Sequence, residues 1–306
     1  MTTPVIVDTD PGNDDAVLLA LLAASPAFDL VGVTTVAGNV GVEHTTRNAR
    51  AVLDWFGRTD VPVARGAAAP LVRGLETADH VHGDAGLHAA PPDPTTPVVD
   101  GAGATAIVER ARARPGEVTL LAVGPLTNVA LALALEPDLP DLLADCVVMG
   151  GAAFVPGNAS PAAEFNFHVD PEAARRVVRD LHPTVVGLDV TERATVPPAT
   201  VRELASRGEP FRTVASWLAY RPPSALEDPG LEPAPVHDAC VGVHLLGDAI
   251  AVAPFSAEVE TCGACRGAFV CGDPDEDGAP ATADVAVDVD VEAFRETLLA
   301  ALDGLA

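Results

Sequence analysis

Short, continuously apolar runs alternate with longer apolar or amphipathic stretches along most of this 306-residue chain. The short runs, at 4–8, 30–36, 61–64, 117–123, 145–149 and 184–188, are rich in Val, Ile and Leu and lack a polar face. That pattern marks strands buried on both sides. The longer stretches, at 14–24, 41–56, 101–114, 127–136, 171–181, 196–207, 210–220 and 237–247, have helical length and spacing. Strand and helix in alternation predict an α/β protein built on an open, mostly parallel, doubly wound (Rossmann-like) sheet.

The segment 254–289 breaks the rhythm, with short alternating runs at 256–260, 267–271 and 283–288 around the acidic turn Asp273–Gly278. It predicts a small antiparallel addition near the C-terminus, followed by a last helix at 290–302. Long stretches at 65–100, 150–170 and 221–236 show neither period. Loops of that length in a compact protein tend to be functional. One domain over 1–306 accounts for the whole pattern.

Composition narrows the class. Hydrophobic residues make up 48% of the chain but aromatics only 4%, so the core is expected to be mostly Ala, Val and Leu. No stretch is long and apolar enough to span a bilayer, and no basic or apolar leader precedes the first strand, so a cytoplasmic protein without a membrane partner is expected. The formal charge is −26, and lysine is absent. Such a surface repels phosphate backbones and excludes nucleic acid as a partner, while a neutral small molecule is unaffected. Five cysteines are an odd number for a disulfide framework. Cys262-x-x-Cys265 has no second pair or paired His at zinc spacing, so its thiols read as incidental.

The chemistry concentrates at residues 5–16, where the first apolar run breaks into Asp8, Asp10, Asp14 and Asp15 around Pro11-Gly12. A helix start needs one capping carboxylate, not four at the end of a buried strand. A hard divalent cation supplies the missing compensation, and the helix dipole keeps such carboxylates ionised as ligands. In open α/β sheets ligands bind beyond the carboxyl ends of the strands. There the other strands deliver Val36-Ala-Gly-Asn39, Val123-Gly-Pro-Leu-Thr-Asn128 and Met149-Gly-Gly151, followed by Gly157-Asn158 and Glu164-Phe-Asn166. The period-two placing of Glu164 and Asn166 about Phe165 reads as one face of an extended segment. A late His237-Asp238 adds an imidazole and a fifth carboxylate.

The string Asp8-Thr-Asp-Pro-Gly-Asn-Asp-Asp-Ala16 is similar to the N-terminal signature of the inosine-uridine nucleoside hydrolases, metal-dependent N-ribohydrolases whose pattern is Asp-x-Asp-Pro-Gly-x-Asp-Asp-Ala. The likeness continues to Asp238. It implies a Ca²⁺ ion bound by Asp10, Asp15, the main-chain carbonyl of Val123 and Asp238, although oxygen ligands alone leave Mg²⁺ open. It also implies that Asp10 acts as base toward the activated water. Asp14, Asn166 and Asp238 would hold the ribose 2′- and 3′-hydroxyls, and Asn39, Asn158 and Glu164 would complete the sugar pocket, with His82 near the substrate. The implied reaction is hydrolysis of a ribonucleoside to ribose and free base by a homodimer or homotetramer. His237 is the candidate acid for the leaving base, since only histidine titrates near neutrality unperturbed.

Two departures leave the base open. Relatives often place tyrosines in the loop before the His-Asp pair, where this chain has Arg221–Gly230, with only Trp217 and Tyr220 upstream. An Arg-Thr pair carried by some relatives is missing from Gly263–Val270. Two other readings compete. Asp8-Thr-Asp10 after a strand also begins haloacid-dehalogenase-type phosphatases, with Asp8 as nucleophile beside Mg²⁺, but those normally bring a lysine to the phosphate. A non-catalytic, Ca²⁺-dependent nucleoside-binding protein would keep Asp14, Glu164 and Asn166 without needing Asp10.

Overall fold

In the computed structural model, which describes residues 2–99 and 101–305, nine strands form one sheet. They are β1 (Thr3–Thr9), β2 (Phe28–Thr35), β3 (Val63–Arg65), β4 (Val118–Ala122), β5 (Leu143–Met149), β6 (Thr184–Val186), β9 (Ile250–Val259), β10 (Phe269–Gly272) and β11 (Ala283–Val289). Two further strands, β7 (Thr195–Val196) and β8 (Ala234–Pro235), pair antiparallel by themselves. The sheet order is β10-β9-β11-β6-β5-β4-β1-β2-β3. From β3 to β11 all neighbours are parallel. The chain winds outward from β1 through β2 to β3, then returns to β4 on the other side of β1. The junction of β1 and β4 is thus the point where winding reverses, the place a doubly wound sheet leaves open for a ligand.

The alternation of β1 explains its burial on both faces. Val5 and Val7 join the core beneath helices Asn13–Ala24, Val42–Trp55, Phe211–Leu218, Ala239–His244 and Val291–Leu302, while Ile6 faces the opposite core with Gly103–Ala113, Thr127–Leu135 and Pro171–Leu181. Helix Asn13–Ala24 is buried from Asn13 through Leu22. It packs against four other helices, which is why its sequence is apolar all round instead of striped.

The antiparallel addition is present but is continuous with the main sheet. Strand β11 pairs parallel with β6, β9 runs antiparallel to β11, and β10 antiparallel to β9. The run expected at 256–260 is the second half of a ten-residue strand, because Ala251–Pro254 pair with β11 although their sequence does not alternate. The helix expected over 237–247 begins only at Ala239, leaving His237 and Asp238 at its mouth. The strand expected to reach 188 ends at Val186, and Leu188–Thr191 forms a helical turn. Among the described residues, no helix is long and apolar enough to cross a membrane.

Candidate active site

Strand β1 ends in Asp8 and Thr9, Asp10 follows, and the chain turns at Pro11-Gly12 into the helix at Asn13, which brings the carboxylates of Asp10, Asp14 and Asp15 within charge range of one another. Asp15 folds back on the turn. Its Oδ2 accepts from the N–H of Gly12 at 2.9 Å and from Asn39 Nδ2 at 3.1 Å, and its Oδ1 accepts from the Thr9 hydroxyl and the Asp10 N–H. Asp10 accepts the Asn39 N–H at 2.6 Å through Oδ2, while its Oδ1 is buried without a partner. Two glycines wedge this carboxylate. A Cβ on Gly38 would overlap Asp10 Oδ2, and one on Gly124 would stand 2.6 Å from Oδ1. Asp14 likewise holds a buried, unpartnered Oδ1.

Asp238, at the start of helix Ala239–His244, closes the group. Ligand oxygens of Asp14, Asp15 and Asp238 lie within 4.8 Å of one another. Burial, together with the neighbouring carboxylates, pushes the pKa values of Asp10, Asp15 and Asp238 above the ordinary range. Crowded buried carboxylates with orphaned oxygens, and no sulfur or imidazole in the cluster, fit a hard divalent cation. Asp10 abuts this trio through Asp15 without joining its tightest grouping. The Val123 carbonyl, delivered by β4 next door, accepts Asn166 Nδ2 at 2.9 Å.

Above the carboxylates opens a cavity of about 590 Å³. Asp14, Asn39, His82, Val123, Asn158, Glu164, Asn166, His237 and Asp238 all line it, whereas Asp10 and Asp15 lie under its floor. The expected extended segment at 164–166 is instead a helix start. Glu164 is the cap of helix Phe165–Val169, its carboxylate accepting from the N–H groups of Asn166 (2.8 Å), Phe167 (3.2 Å) and Gly151 (3.0 Å). Capping overrides the period-two pattern here because a buried carboxylate needs donors, and the free N–H groups of a helix start supply them. Burial still pushes Glu164 up to about 7. Asn158 accepts the Phe165 N–H at 2.9 Å, so both residues hold the helix that carries Asn166.

Asp8 is not part of the cavity wall. Its Oδ1 accepts from Thr34 Oγ1 at 2.6 Å and Asn128 Nδ2 at 2.8 Å, and it is fully buried near the end of β1. A nucleophile pinned there cannot meet a phosphate, which counts against the phosphatase reading. Cys262 and Cys265 are exposed, and among the described residues only the aspartate trio forms a metal-holding group.

His237 Nδ1 lies 2.8 Å from Thr191 Oγ1, and burial pushes its pKa below the usual imidazole value. Tyr220, absent from the sequence-based site, also lines the cavity. Its ring stands 5.7 Å from that of His82, and its hydroxyl is buried, with burial and then Asp14 raising its pKa so that it stays a neutral phenol. Its φ of 48° is uncommon for a bulky residue, a conformation that persists only where surroundings enforce it. The available signal was its being the only tyrosine, immediately before Arg221-Pro-Pro. Trp217, by contrast, is buried in the core and donates to the Ala89 carbonyl.

Comparison with known proteins places this geometry in a family. Residues 5–296 match the model of the inosine-uridine preferring nucleoside hydrolases. The chain is 39% identical over 307 aligned residues, 97% of each protein, to the pyrimidine-specific ribonucleoside hydrolase RihA of Salmonella arizonae. It is 42% identical over 253 residues, 80% of each, to RihA of Klebsiella pneumoniae. Among solved structures, the purine-preferring ribonucleoside hydrolase from Gardnerella vaginalis superimposes with a TM-score of 0.90 at 27% identity, covering 99% of both chains. The plant nucleoside hydrolase PpNRh1 does so with 0.89 at 30%, again over 99% of both.

Proposed function

The chain belongs to the inosine-uridine preferring nucleoside hydrolase family and is a ribonucleoside hydrolase; from that premise we propose that it uses Ca²⁺, with Asp10 as general base and His237 as general acid. The observation that carries this reading is the stack of an amide- and carboxylate-lined cavity directly over buried aspartates with unpartnered oxygens. Asp10, Asp15, Asp238 and the Val123 carbonyl would hold the cation, with Asp14 adjoining them. When bound, it lowers the pKa of the water it orients and serves as a template for the ribose hydroxyls.

The remaining steps belong to the chain's own side chains. Asp14, Asn166 and Asp238 grip the 2′- and 3′-hydroxyls, and Asn39, Asn158 and Glu164 surround the rest of the sugar. Amides and carboxylates offer the paired donors and acceptors a polyol needs, and each unpaired partner would cost about 1–3 kcal/mol. Asp10 Oδ1, unpartnered and raised in pKa by burial, takes the proton from the water whose oxygen bonds to C1′. The C1′–N bond breaks through an oxocarbenium-like state, its electron pair leaving with the base. The base nitrogen then takes a proton from His237. A lowered pKa makes that imidazolium a stronger donor while thinning its population at neutral pH.

Pyrimidine ribonucleosides are proposed as the better substrates. Relatives named pyrimidine-specific share 39–42% of residues, against 27% for the purine-preferring structure. Ribose released from uridine, cytidine, inosine, adenosine and guanosine, each with added Ca²⁺, tests this. The proposal expects uridine and cytidine to lead in kcat/KM, and release from none of the five would refute the assignment.

A further inference from the structure

Within the signature string, position 13 is one of those the family pattern leaves open, and this chain fills it with an asparagine that has no exposed surface. Asn13 opens the first helix between the aspartates but bonds away from them, to the segment around helix Asp79–His82. Its backbone N–H donates to His82 Nδ1 at 3.1 Å, and its side-chain Nδ2 lies 3.3 Å from the same atom. That Nδ2 is also 2.9 Å from His88 Nδ1, while Oδ1 accepts the His88 N–H at 3.0 Å.

These partners fix hydrogens as well as positions. A backbone N–H can only donate, so His82 Nδ1 must offer its lone pair, and the neutral ring then carries its hydrogen on Nε2. The amide of Asn13 cannot be flipped, because its oxygen is committed to the His88 N–H. Its NH₂ therefore faces both imidazoles as a donor. Asn48 adds a second tie, donating to the carbonyls of Ala85 (2.7 Å) and Pro11 (3.1 Å). A Cβ on Gly12 would collide with the His82 ring, so the Pro-Gly turn is what admits this histidine.

We propose that Asn13 is a positioning residue for the hydrolysis: it docks the segment Asp79–His88 on the signature turn and holds His82 as its Nε2–H tautomer, so that His82 meets the nucleoside as a hydrogen-bond donor. The role rests on reading the cavity lined by His82 as the nucleoside site. Asn13 acts through His82 and touches neither substrate nor cation.

Three measurements decide it. In ¹⁵N-histidine-labelled protein at about pH 8, above the ordinary imidazole range, the resonances lost in His82→Phe should be those of an unprotonated Nδ1 and a protonated Nε2. A protonated Nδ1 would overturn the proposal, and this reading needs neither turnover nor a variant at position 13. In steady-state assays with Ca²⁺, Asn13→Leu should lower kcat about tenfold, the effect of one well-placed hydrogen bond, with KM moved less than about threefold. Its Ca²⁺ affinity by calorimetry should be unchanged. Placed in the His82→Phe background the same change should cost almost nothing more, since the two act as one unit. Additive losses, or a matching loss of Ca²⁺ affinity, would assign Asn13 a general structural role instead and overturn the proposal. If Asn13→Leu does not fold, Asn13→Asp serves in the same cycle, since it keeps the size but turns an acceptor toward both Nδ1 atoms. Absence of ribose release by the wild type would refute the nucleoside reading while leaving the tautomer measurement to decide this one.

Discussion

Replacing Asp8 by Asn should stabilise the metal-free protein at alkaline pH and not at acidic pH. Asp8 has no exposed surface, accepts two hydrogen bonds, and leaves Oδ2 without a partner. Desolvation outweighs the bonds from Thr34 and Asn128 and pushes its pKa from 3.8 to about 7. An acid whose pKa is raised by folding binds more protons folded than unfolded between those two values, so stability falls as pH rises through that window. At about 1.4 kcal/mol per pH unit, the full loss is on the order of 4 kcal/mol, of which about 2–3 kcal/mol accrues between about pH 5 and about pH 8. Asparagine keeps an acceptor for Thr34 and Asn128 but does not titrate, so Asp8→Asn should gain that amount relative to wild type over the same interval. For a chain this long the gain corresponds to roughly 3–6 °C in Tm. Thermal melts by circular dichroism, with chelator present at both pH values, read it directly, and the carboxylates common to both proteins cancel in the difference. A Tm difference independent of pH would show that Asp8 is ionised throughout and that its hydrogen bonds outweigh burial.

Other consequences can be checked at the bench. Asp8→Asn should keep turnover on nucleosides within a few-fold, whereas a phosphatase using Asp8 would lose its nucleophile entirely. His237→Ala should slow natural nucleosides by about 10²-fold or more, the scale of general acid catalysis, and leave p-nitrophenyl riboside nearly untouched; equal losses on both would reduce His237 to packing against Thr191. Gly38→Ala should lower kcat by about 10²-fold, because its Cβ would displace the Asp10 carboxylate, and wild-type turnover would show that Asp10 need not sit where it does. Nucleosides should be preferred to their 5′-monophosphates by up to about three orders of magnitude, since a phosphate about 4 Å from an ionised Glu164 meets about 4 kcal/mol of repulsion. Arg65 and Arg73 are held by Glu43 and Glu172, and Arg221 is the arginine on the cavity wall. Because Glu164 titrates near 7, this preference should widen between about pH 6 and about pH 8, and parity of kcat/KM for uridine and uridine 5′-monophosphate would refute it.

The parallel part of the sheet was legible because strands such as β4 and β6 are buried along their whole length and therefore almost continuously apolar, and because the apolar runs give way abruptly to Gly, Asn or Asp. Asn39 and Val123 stand where strands give way to polar loops and Asp14 and Asp238 at the starts of apolar helical runs, the ligand role of Val123 being legible only through the family likeness, and the fold brings all four to one cavity wall. What escaped was set by long-range partners. Glu164 takes its conformation from N–H groups at Gly151, Asn166 and Phe167, which no local period reveals. Tyr220 owes its place to a left-handed backbone that tertiary packing imposes. The bonds from Asn13 to His82 and His88 join residues 69 and 75 positions apart, beyond the reach of any motif. The first half of β9 lacks alternation because it borrows its register from β11.

The most direct test of the account removes and restores the cation. Protein stripped by chelation should release no measurable ribose from uridine, and Ca²⁺ alone should restore release in the wild type. The Asp10→Asn variant, given the same Ca²⁺, should bind uridine at near wild-type affinity yet turn it over several orders of magnitude more slowly. Full activity after chelation, or wild-type turnover in the Asp10→Asn variant, would contradict the account.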